Sequence, residues 1–304
     1  MSDVAIIVVT FNSQAEIGPC LEAARATGAD TLVVDNASED GTRQEVERHG
    51  VRMIANSRNL GFAAAVNQGV RALSAPLLLL LNPDARIENS IEPLRRACLA
   101  PQTAAAGGML VDEQGEPQRG FMVRRFPTPA ALSFEALGLN RLWPRNPVNW
   151  HYRCLDLDAR TAGEVEQPAG AFLMFRRDVW EKAGGFDERF YPLWFEDVDF
   201  LRRAKDLGYA TRYVPESVAK HTGGHSIQKI LLEFRQFYWY GNLFKYASKH
   251  FSPGGRRLVC LAVIFGSVLR SVLDSARHRS LKPIAVYGSI VRLAGRQLLA
   301  RPAA

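Results

Sequence analysis

The sequence predicts a doubly wound α/β fold with a mostly parallel sheet, and three observations support this class. Residues 4–9 form a continuous apolar run rich in β-branched side chains, as in a strand buried on both faces of a parallel sheet. Similar runs recur at spacings of 20 to 27 residues, with helical patterns between them. The runs break into Asp or Asn, which puts polar groups along the edge where such sheets bind ligands.

The elements follow in chain order. Strands are predicted at residues 4–9, 31–34, 51–54 and 77–81, and helices at 17–24, from 40 onward and at 62–73. Farther along, the pattern predicts a strand over 167–175, a helix over 177–183, a helix that begins within 194–203, and a final strand over 209–214 that ends before Pro215. Between residues 109 and 166 the periodicity weakens, which predicts loops and irregular helices above the ligand edge.

Composition places the chain among ordinary globular proteins. Of 304 residues, 47% are apolar and 23% charged, which excludes disordered, collagen-like and disulfide-scaffold classes. The four cysteines form no CxxC pair, so reduced thiols are expected. The N-terminus shows no secretory signal, and the longest uncharged apolar stretch, 258–269, is shorter than the ~20 residues of a membrane span. A cytoplasmic protein without a spanning helix is therefore expected.

The positive charge is concentrated at the C-terminal end. Residues 235–304 hold 12 Lys and Arg against one acid, Asp274, whereas residues 1–234 hold 26 against 30. Aromatic residues interleave with the first of these cations over 234–246. This pattern predicts a catalytic or binding domain over 1–230 and a basic, amphipathic helical region over 231–304 that associates with an anionic membrane. A packed accessory helix with a solvated basic face stays an alternative.

The sequence contains neither of two common phosphate-binding motifs. Neither GxGxxG after the first strand nor GxxxxGK[ST] occurs, so phosphates must be bound in another way. Asp84 follows the fourth strand behind a proline, and a carboxylate in such a turn suits a divalent cation that bridges diphosphate oxygens. Asp84 is therefore the candidate metal ligand.

A second acidic segment, Trp194 to Arg203, enters a helix. Asp199 lies three and four residues before Arg202 and Arg203, which predicts a surface ion pair rather than a site residue. Asp197 has no such partner, although it could also interact with the helix dipole. Two histidines, His221 and His225, follow in a glycine-bearing loop, where metal or phosphate contact and plain solvation are equally open.

Taken together, these segments resemble the family 2 inverting glycosyltransferases of GT-A fold, over about residues 4–230. Five segments in the family's order carry the resemblance: Val8–Asn12, Val34–Thr42, Asn59–Ala63, Asn82–Asp84, and Gly184–Glu188 followed by Glu196 and Asp197. Within the family, residues 142–147 and 190–199 look most like bacterial rhamnosyltransferases that act on polyprenyl-diphosphate-linked N-acetylglucosamine.

The resemblance implies a nucleotide-sugar donor, dTDP-L-rhamnose first, and a lipid-linked or polysaccharide acceptor of cell-envelope biosynthesis. Thr10, Asn12 and Asp35 match the positions that hold the pyrimidine and ribose, and Asp35 would accept the N–H of the base. Asn59 and Asn67 match positions near the nucleotide. The enzyme would act in the cytoplasm, peripherally at the inner face of the cell membrane.

The resemblance also implies a metal site and a catalytic base. Asp84 matches the last acid of the family's DXD motif, whose first position is here Asn82, so the motif supplies a single carboxylate. His221 matches the histidine that completes the Mg²⁺ or Mn²⁺ site, with His225 as second choice. Asp197 matches the base that deprotonates the acceptor hydroxyl. Trp194 and Glu196 are predicted near the acceptor or behind the base.

Two alternatives to this function remain open from the sequence. A UDP-sugar donor presents the same N–H edge to Asp35 as a thymidine nucleotide does. A nucleotide-sugar-binding protein without catalysis would explain the reduced motif at Asn82, although Asp197 argues against it. Nucleic acid is not an expected partner because the basic region carries no nucleic-acid-binding motif. A homodimer through that region is conceivable, and nothing in the pattern requires it.

Overall fold

A computed structural model describes residues 3–223 and 232–299. The chain forms two compact units. The first, here the sheet unit, comprises Met1–Phe126 and Arg153–Lys229, and the second, the helical unit, comprises Pro127–Tyr152 and Ile230–Ala304. The sequence analysis left residues 127–152 within its N-terminal domain, whereas in the structure this segment groups with the C-terminal helices.

The sheet unit is built on a central sheet of nine strands among the described residues. Its strands in chain order are β1 Val4–Thr10, β2 Asp30–Asp35, β3 Arg52–Ala55, β4 Leu77–Leu81, β5 Ala85–Ile87, β6 Thr103–Val111, β8 Gly163–Val165, β10 Phe172–Arg176 and β11 Ala210–His221. A small second sheet pairs β7 Val123–Arg124 with β9 Gln167–Pro168.

The strand order is β3-β2-β1-β4-β10-β6-β11-β5, and β8 pairs with β11. Strands β3, β2, β1 and β4 are parallel, β10 is antiparallel to both β4 and β6, and β11 is parallel to β6. Most strands therefore point one way. This mixed, mostly parallel sheet confirms the predicted α/β class, and β10 joins its two parallel portions.

The helices of the sheet unit connect these strands. They are α1 Gln14–Ala26, α2 Thr42–Arg48, α3 Phe62–Ala72, α4 Glu92–Leu99, α8 Arg177–Lys182 and α9 Glu196–Asp206. All of β1 and β4 are buried, as the continuous apolar runs predicted. Their side chains form the core with Ile17 and Leu21 of α1 and with Phe172 and Met174 of β10.

Strand β6 was not predicted from the sequence, and the composition of the strand explains why. Its residues Thr103–Val111 are mostly Ala and Gly, which have low strand propensity. In the structure a side chain at Gly107 would overlap Pro168, and one at Gly108 would overlap Phe172 and the backbone oxygen of Ser217. The small residues are therefore a packing requirement of a strand crowded on both faces.

The last strand is also longer than predicted. The expectation that it ends before Pro215 is wrong, because β11 continues to His221 across a register shift between Val214 and Val218. A bulge tolerates a proline within a strand because the ladder is already interrupted there. The extension pairs His221 with Ala85 of β5 and so brings the histidine beside Asp84.

The helical unit contains six helices among the described residues. They are α5 Pro129–Leu137, α6 Leu139–Leu142, α7 Pro147–Tyr152, α10 Leu232–His250, α11 Pro253–His278 and α12 Lys282–Leu299. Helix α11 packs so closely on α5 that a side chain at Gly266 would overlap the backbone of Ala136. Thr128 and Ser252 cap α5 and α11 by accepting backbone N–H bonds from Ala131 and Gly255.

Helix α11 is long and apolar enough to cross a membrane, judged by length and composition. Within Pro253–Arg277 an 18-residue window has a mean hydropathy of 1.8, and 33% of that window is buried. Core helices of soluble proteins meet the same criterion. The uncharged run on which the sequence expectation rests ends at Arg270, whereas the apolar character of the helix continues beyond that residue.

Arg177 at the start of α8 provides a test of how the sheet unit is held together. Its guanidinium donates to the backbone oxygens of Val70, Leu73 and Ala75 at 2.8–2.9 Å, at the C-terminal end of α3. Arg177→Met keeps the apolar stem and removes all three bonds. We expect a loss of roughly 1–3 kcal/mol in the free energy of unfolding, measured by urea titration. Arg48→Met, an exposed pair with Glu45, should cost under about 0.5 kcal/mol, and an equal loss in both variants would contradict this role.

Candidate active site

The carboxyl ends of β1 and β2 meet at one edge of the sheet. Thr10 and Asp35, the last residues of these strands, are register partners, and the Thr10 hydroxyl donates to Asp35 Oδ1 at 3.0 Å. Asp35 is fully buried. Its Oδ2 accepts from the backbone N–H of Ser38 at 3.1 Å and from Arg43 Nε at 2.7 Å. Three donors therefore hold the carboxylate in one orientation, and Oδ1 retains the capacity to accept a further N–H.

The loops after β1 and β2 are fastened to each other by Asn12. This residue has the left-handed φ of 52° that asparagine tolerates better than most residues. The side-chain oxygen of Asn12 accepts from the backbone N–H of Glu39 at 2.8 Å, and the backbone N–H of Asn12 donates to Ser38 Oγ at 2.9 Å. Asn12 therefore shapes the loop that carries Ser38 over Asp35.

The two other predicted asparagines lie farther along the edge. Asn59 accepts from the N–H of Gly61 at 2.8 Å and forms the turn before α3. Asn67 is buried within α3 and makes four hydrogen bonds, to the backbone N–H and oxygen of Phe186, the indole of Trp180 and the carboxylate of Glu188. Asn67 has no hydrogen-bonding capacity left for a ligand. It ties α3 to the segment before α9 instead.

Asp84 and His221 form the second cluster at this edge. His221 Nε2 lies 3.4 Å from Asp84 Oδ1, and both side chains are at least 90% buried. The Nε2 atom has no hydrogen-bond partner among the described residues. A buried ring nitrogen and a carboxylate that face each other without a hydrogen bond are suited to share a cation.

These two side chains fit the metal that the resemblance implies. The described residues contain no group of three or more potential metal-binding side chains, so the protein supplies one carboxylate and one imidazole. Mg²⁺ at nucleotide sites is held by one or two protein ligands together with substrate phosphates and water. The pair therefore suits a cation delivered with a diphosphate. His225, the second choice, lies outside the described residues.

The segment after β6 covers His221. The Phe121 ring stacks on the imidazole with a centroid separation of 5.2 Å and an interplanar angle of 8°, and Arg124 lies 5.9 Å over Phe121. Gln118 contacts both the ring and the backbone oxygen of His221. The sequence analysis missed these three residues, because they belong to no motif and only the fold brings them to β11.

Asp197 lies at the start of α9 and is half-buried. Its Oδ2 accepts from the backbone N–H of Gly170 at 3.0 Å, and its Oδ1 from that of Val198 at 2.8 Å. Burial raises the pKa of Asp197, while these two hydrogen bonds and the charge of Arg124 act in the opposite direction. The result is a carboxylate fixed in orientation and more basic than an exposed one, as a general base requires.

The loop before β10 connects Asp197 to the turn that carries Asp84. Gly170 binds Asp197, and the next residue, Ala171, accepts from the backbone N–H of Asn82 at 3.0 Å. Asn82 begins the turn that carries Asp84. Adjacent residues of one loop thus anchor both carboxylates, which explains how segments far apart in sequence reach the same edge.

The backbone before Asp197 has an unusual conformation. Trp194 and Phe195 both have left-handed φ values, 80° and 74°, which are strained for aromatic residues. Glu196 follows, nearly buried, with Oε2 lacking a hydrogen-bond partner. Burial first, and then the neighbouring Asp197 charge, raise the pKa of Glu196 well above its ordinary value and favour its neutral form. Trp194 is half-buried beside this turn.

The predicted ion pair of Asp199 forms, but not at the surface. Asp199 is fully buried and accepts from Arg203 Nε at 2.8 Å, and Arg203 also binds the backbone oxygens of Ala183 and Gly185. Asp199 thus connects α9 to the turn before Phe186. Asp197, two residues earlier, lies on a different face of the helix and accepts from Gly170 and Val198 instead.

Comparison with known proteins identifies the class. The model of glycosyl transferase family 2 matches residues 5–184, and that of glycosyl transferase family group 2 matches residues 146–290. The chain belongs to glycosyl transferase family 2. It is 31% identical over 251 residues to the N-acetylglucosaminyl-diphospho-decaprenol L-rhamnosyltransferase of Mycobacterium tuberculosis, covering 74% of this chain and 78% of that protein.

Solved structures agree on the fold. A mannosyltransferase from Pyrobaculum calidifontis, in complex with GDP-Man and Mn²⁺, aligns with a TM-score of 0.54 over 97% of this chain and 85% of its own, at 16% identity. Glucosyl-3-phosphoglycerate synthase of Mycobacterium tuberculosis, with Mn²⁺, UDP and phosphoglyceric acid, aligns with a TM-score of 0.50 over 79% and 77%, at 14% identity. The predicted GT-A fold is confirmed.

The saturation of Asn67 leads to a prediction that separates structure from ligand binding. Asn67→Ala removes four hydrogen bonds and leaves buried donors and acceptors without partners, so we expect unfolding to require about 2–4 kcal/mol less. Asn59→Ala, which removes one half-buried bond, should cost about 1 kcal/mol or less. Urea unfolding of both variants checks this. Unchanged stability with lost nucleotide binding in Asn67→Ala would show that the residue contacts the ligand.

Proposed function

We propose that this glycosyltransferase transfers L-rhamnose from dTDP-L-rhamnose to a polyprenyl-diphosphate-linked N-acetylglucosamine, with inversion at the anomeric carbon. The oriented carboxylate of Asp197, joined through Gly170 and Ala171 to the turn of Asp84, is the observation that carries the reaction type. The transferred sugar and the acceptor are taken from the mycobacterial relative, whose name states a rhamnosyl transfer to such a lipid, and the dTDP donor is what the family resemblance implies.

The residues at the sheet edge receive the nucleotide in this proposal. Asp35, oriented by Thr10, Ser38 and Arg43, accepts the N–H of the pyrimidine through its remaining lone pair on Oδ1. Asn12 and Asn59 shape the two loops that border it. Asn67 ties α3 to the segment before α9 and does not bind the nucleotide.

Asp84 and His221 hold Mg²⁺ or Mn²⁺ against the diphosphate in this proposal. When bound, the metal supplies positive charge that stabilises the departing nucleoside diphosphate. Because the described residues offer two ligands here, the diphosphate itself would complete the site, and metal and nucleotide are expected to bind together. Metal binding alone should be weak.

Asp197 accepts the proton of the acceptor hydroxyl as that oxygen attacks the anomeric carbon. A single displacement needs one base and no covalent intermediate, so it inverts the configuration. Burial favours the uncharged form of Glu196 beside it, which limits the negative charge that the acceptor diphosphate meets. The strained turn at Trp194 presents Asp197 to the site and lies where the acceptor sugar would bind.

The donor is tested by thermal shift with nucleoside diphosphates and their sugars, with and without Mn²⁺, followed by transfer to a short-chain polyprenyl-diphosphate N-acetylglucosamine. A native-state ligand raises the unfolding midpoint by mass action. Metal-dependent stabilisation by dTDP-rhamnose above UDP-sugars, with product formed, supports the proposal. Stronger stabilisation by a UDP-sugar would replace dTDP-rhamnose as the proposed donor. If no nucleotide raises the unfolding midpoint, a non-catalytic binding protein is favoured.

Substitution of the base gives a direct prediction. Asp197→Asn keeps the size and the acceptor oxygen but cannot take a proton, so transfer should fall by about 10²–10⁴-fold. Binding of dTDP with Mn²⁺, measured by thermal shift, should be unchanged. Asp206→Asn on the exposed side of the same helix is the matched control and should retain transfer. Substantial transfer by Asp197→Asn would remove this residue from the role of base.

The raised pKa of Asp197 predicts the acid limb of the pH–rate profile. Transfer requires the carboxylate, so kcat/KM should fall as the pH drops through a pKa above the ordinary ~4 of aspartate. Arg124→Gln removes a charge that lowers this pKa, and the limb should move to higher pH. Initial rates between pH 4 and 9 measure the shift. A limb that stays fixed or moves to lower pH would contradict the electrostatic role of Arg124.

A further inference from the structure

We propose that one face of α11 lies in the interface of an anionic bilayer and holds the enzyme at the membrane. The face, here called the apolar stripe, consists of large apolar side chains that are each 45–65% exposed: Leu258, Leu261, Phe265, Val268, Leu269, Val272 and Leu273. They recur at intervals of three and four residues, so they line one side of the helix for about 22 Å. An exposed apolar surface of this extent marks an interaction site.

The opposite face of the same helix is already occupied by protein. Val259, Cys260, Val263 and Ser267 are fully buried, and Gly266 contacts α5. Only twelve uncharged residues separate Arg257 from Arg270, against the ~20 of a membrane span. Arg270 is held within the helical unit, where its guanidinium donates to Tyr240 and to the backbone oxygen of Glu135. A helix with one packed face and one exposed apolar face lies along an interface rather than across it.

The net charge of the helical unit indicates which partner covers the apolar stripe. Its two segments hold 14 Lys and Arg against three acids, a net charge of +11, whereas the sheet unit is −4. Of the 19 exposed large apolar residues in the described part of the chain, 15 belong to the helical unit. Two copies packed through the stripe would bring +11 against +11, whereas an anionic leaflet complements this charge. A lipid surface is therefore favoured over a second copy.

This inference rests on the proposed function and adds the membrane as a partner. Vesicle binding is measured without sugar transfer, so membrane binding and the proposed transfer can each fail without the other. The full chain is floated with vesicles of phosphatidylcholine or of phosphatidylcholine with 40% phosphatidylglycerol. We expect binding to the anionic vesicles that weakens as salt rises. Phe265→Ser with Leu269→Ser should lower the partition coefficient at least tenfold. Arg257→Gln and Arg277→Gln should each lower it about fivefold.

The control is Leu207→Ser, a half-exposed leucine of the sheet unit, which should bind vesicles like the unmodified chain. Far-UV circular dichroism and light scattering are recorded for every variant. Unchanged vesicle binding by the Phe265/Leu269 variant overturns the proposal. The proposal is also overturned if the unmodified chain does not bind anionic vesicles. If that chain is then a dimer and the Phe265/Leu269 variant is a monomer, the apolar stripe is assigned to contact with a second copy.

We also infer, from a separate observation, that Gln118 is a positioning residue that sets the tautomer of His221. Gln118 Nε2 donates to the backbone oxygen of His221 at 2.6 Å, and Gln118 Oε1 lies 3.1 Å from His221 Nδ1. The backbone oxygen can only accept, so the amide cannot be reversed. Nδ1 must therefore carry the proton that Oε1 accepts.

This arrangement reserves Nε2 for the cation. With the proton on Nδ1, the lone pair of neutral imidazole lies on Nε2, which faces Asp84 and has no hydrogen-bond partner among the described residues. A ligating imidazole is oriented in this way when its other nitrogen donates to a neighbouring acceptor. The stacked Phe121 ring limits rotation of the imidazole. The inference depends on the proposed metal site, and its first readout needs neither metal nor transfer.

The test combines ¹⁵N NMR of the His221 ring with the affinity for Mn²⁺ in the presence of dTDP, followed by the electron paramagnetic resonance of free Mn²⁺. We expect the Nδ1–H tautomer in the unmodified chain. Gln118→Leu should lose this preference and bind Mn²⁺ 10–100-fold more weakly. Gln118→Glu still accepts from Nδ1 and should keep the tautomer and an affinity within a few-fold.

The two variants distinguish a role of Gln118 in setting the His221 tautomer from a purely structural role. If Gln118→Leu keeps the Nδ1–H tautomer, the inference is overturned whatever the metal affinity. If Gln118→Glu loses as much affinity as Gln118→Leu, the contact with the backbone oxygen is what matters and the tautomer role fails. An Nε2–H tautomer in the unmodified chain would likewise exclude it. Absence of Mn²⁺ binding with the expected tautomer would count against the metal site of the proposed function and leave the positioning of the ring established.

Discussion

The insertion of the antiparallel strand β10 between β4 and β6 is the constraint on which the site depends. Register with β4 brings the preceding loop beside the Asn82 turn, so that Ala171 binds Asn82 while Gly170 binds Asp197. The same strand joins the two parallel portions of the sheet, and its side chains belong to the core. A displacement of β10 would therefore separate Asp197 from the turn of Asp84 and disrupt the core at the same time. Stability and catalytic geometry rest on the same backbone hydrogen bonds.

The acidic side chains of the candidate site and of helix α9 differ because their surroundings differ. Asp35 accepts from three donors on two oxygens, and its Oδ1 keeps the capacity to accept one further N–H. Asp199 is paired with Arg203 and serves packing. Asp197 receives two backbone N–H bonds, and burial raises the pKa of its carboxyl. The three aspartates therefore differ in their chemistry, and each difference follows from the donors and the burial of that side chain.

The helical unit supplies what the sheet unit lacks for an acceptor that is confined to a membrane. The sheet unit is slightly acidic, which by itself would oppose approach to an anionic leaflet. The helical unit carries the positive charge and the exposed apolar side chains. Division of these properties between two units would let the site remain polar while another surface binds lipid.

The sequence by itself determined the class of sheet, its parallel strands, the family, and the polar edge residues Thr10, Asp35, Asp84 and Asp197. Such features depend on local pattern, because buried strands need apolar runs and ligand edges need polar ends. Only the tertiary structure decided that β6 is a strand, that β11 passes Pro215 to reach His221, and that Gln118, Phe121 and Gly170 belong to the site. It also showed that Asn67 has no hydrogen bond left for a ligand. These facts depend on register and on contacts between distant segments, which local sequence does not encode.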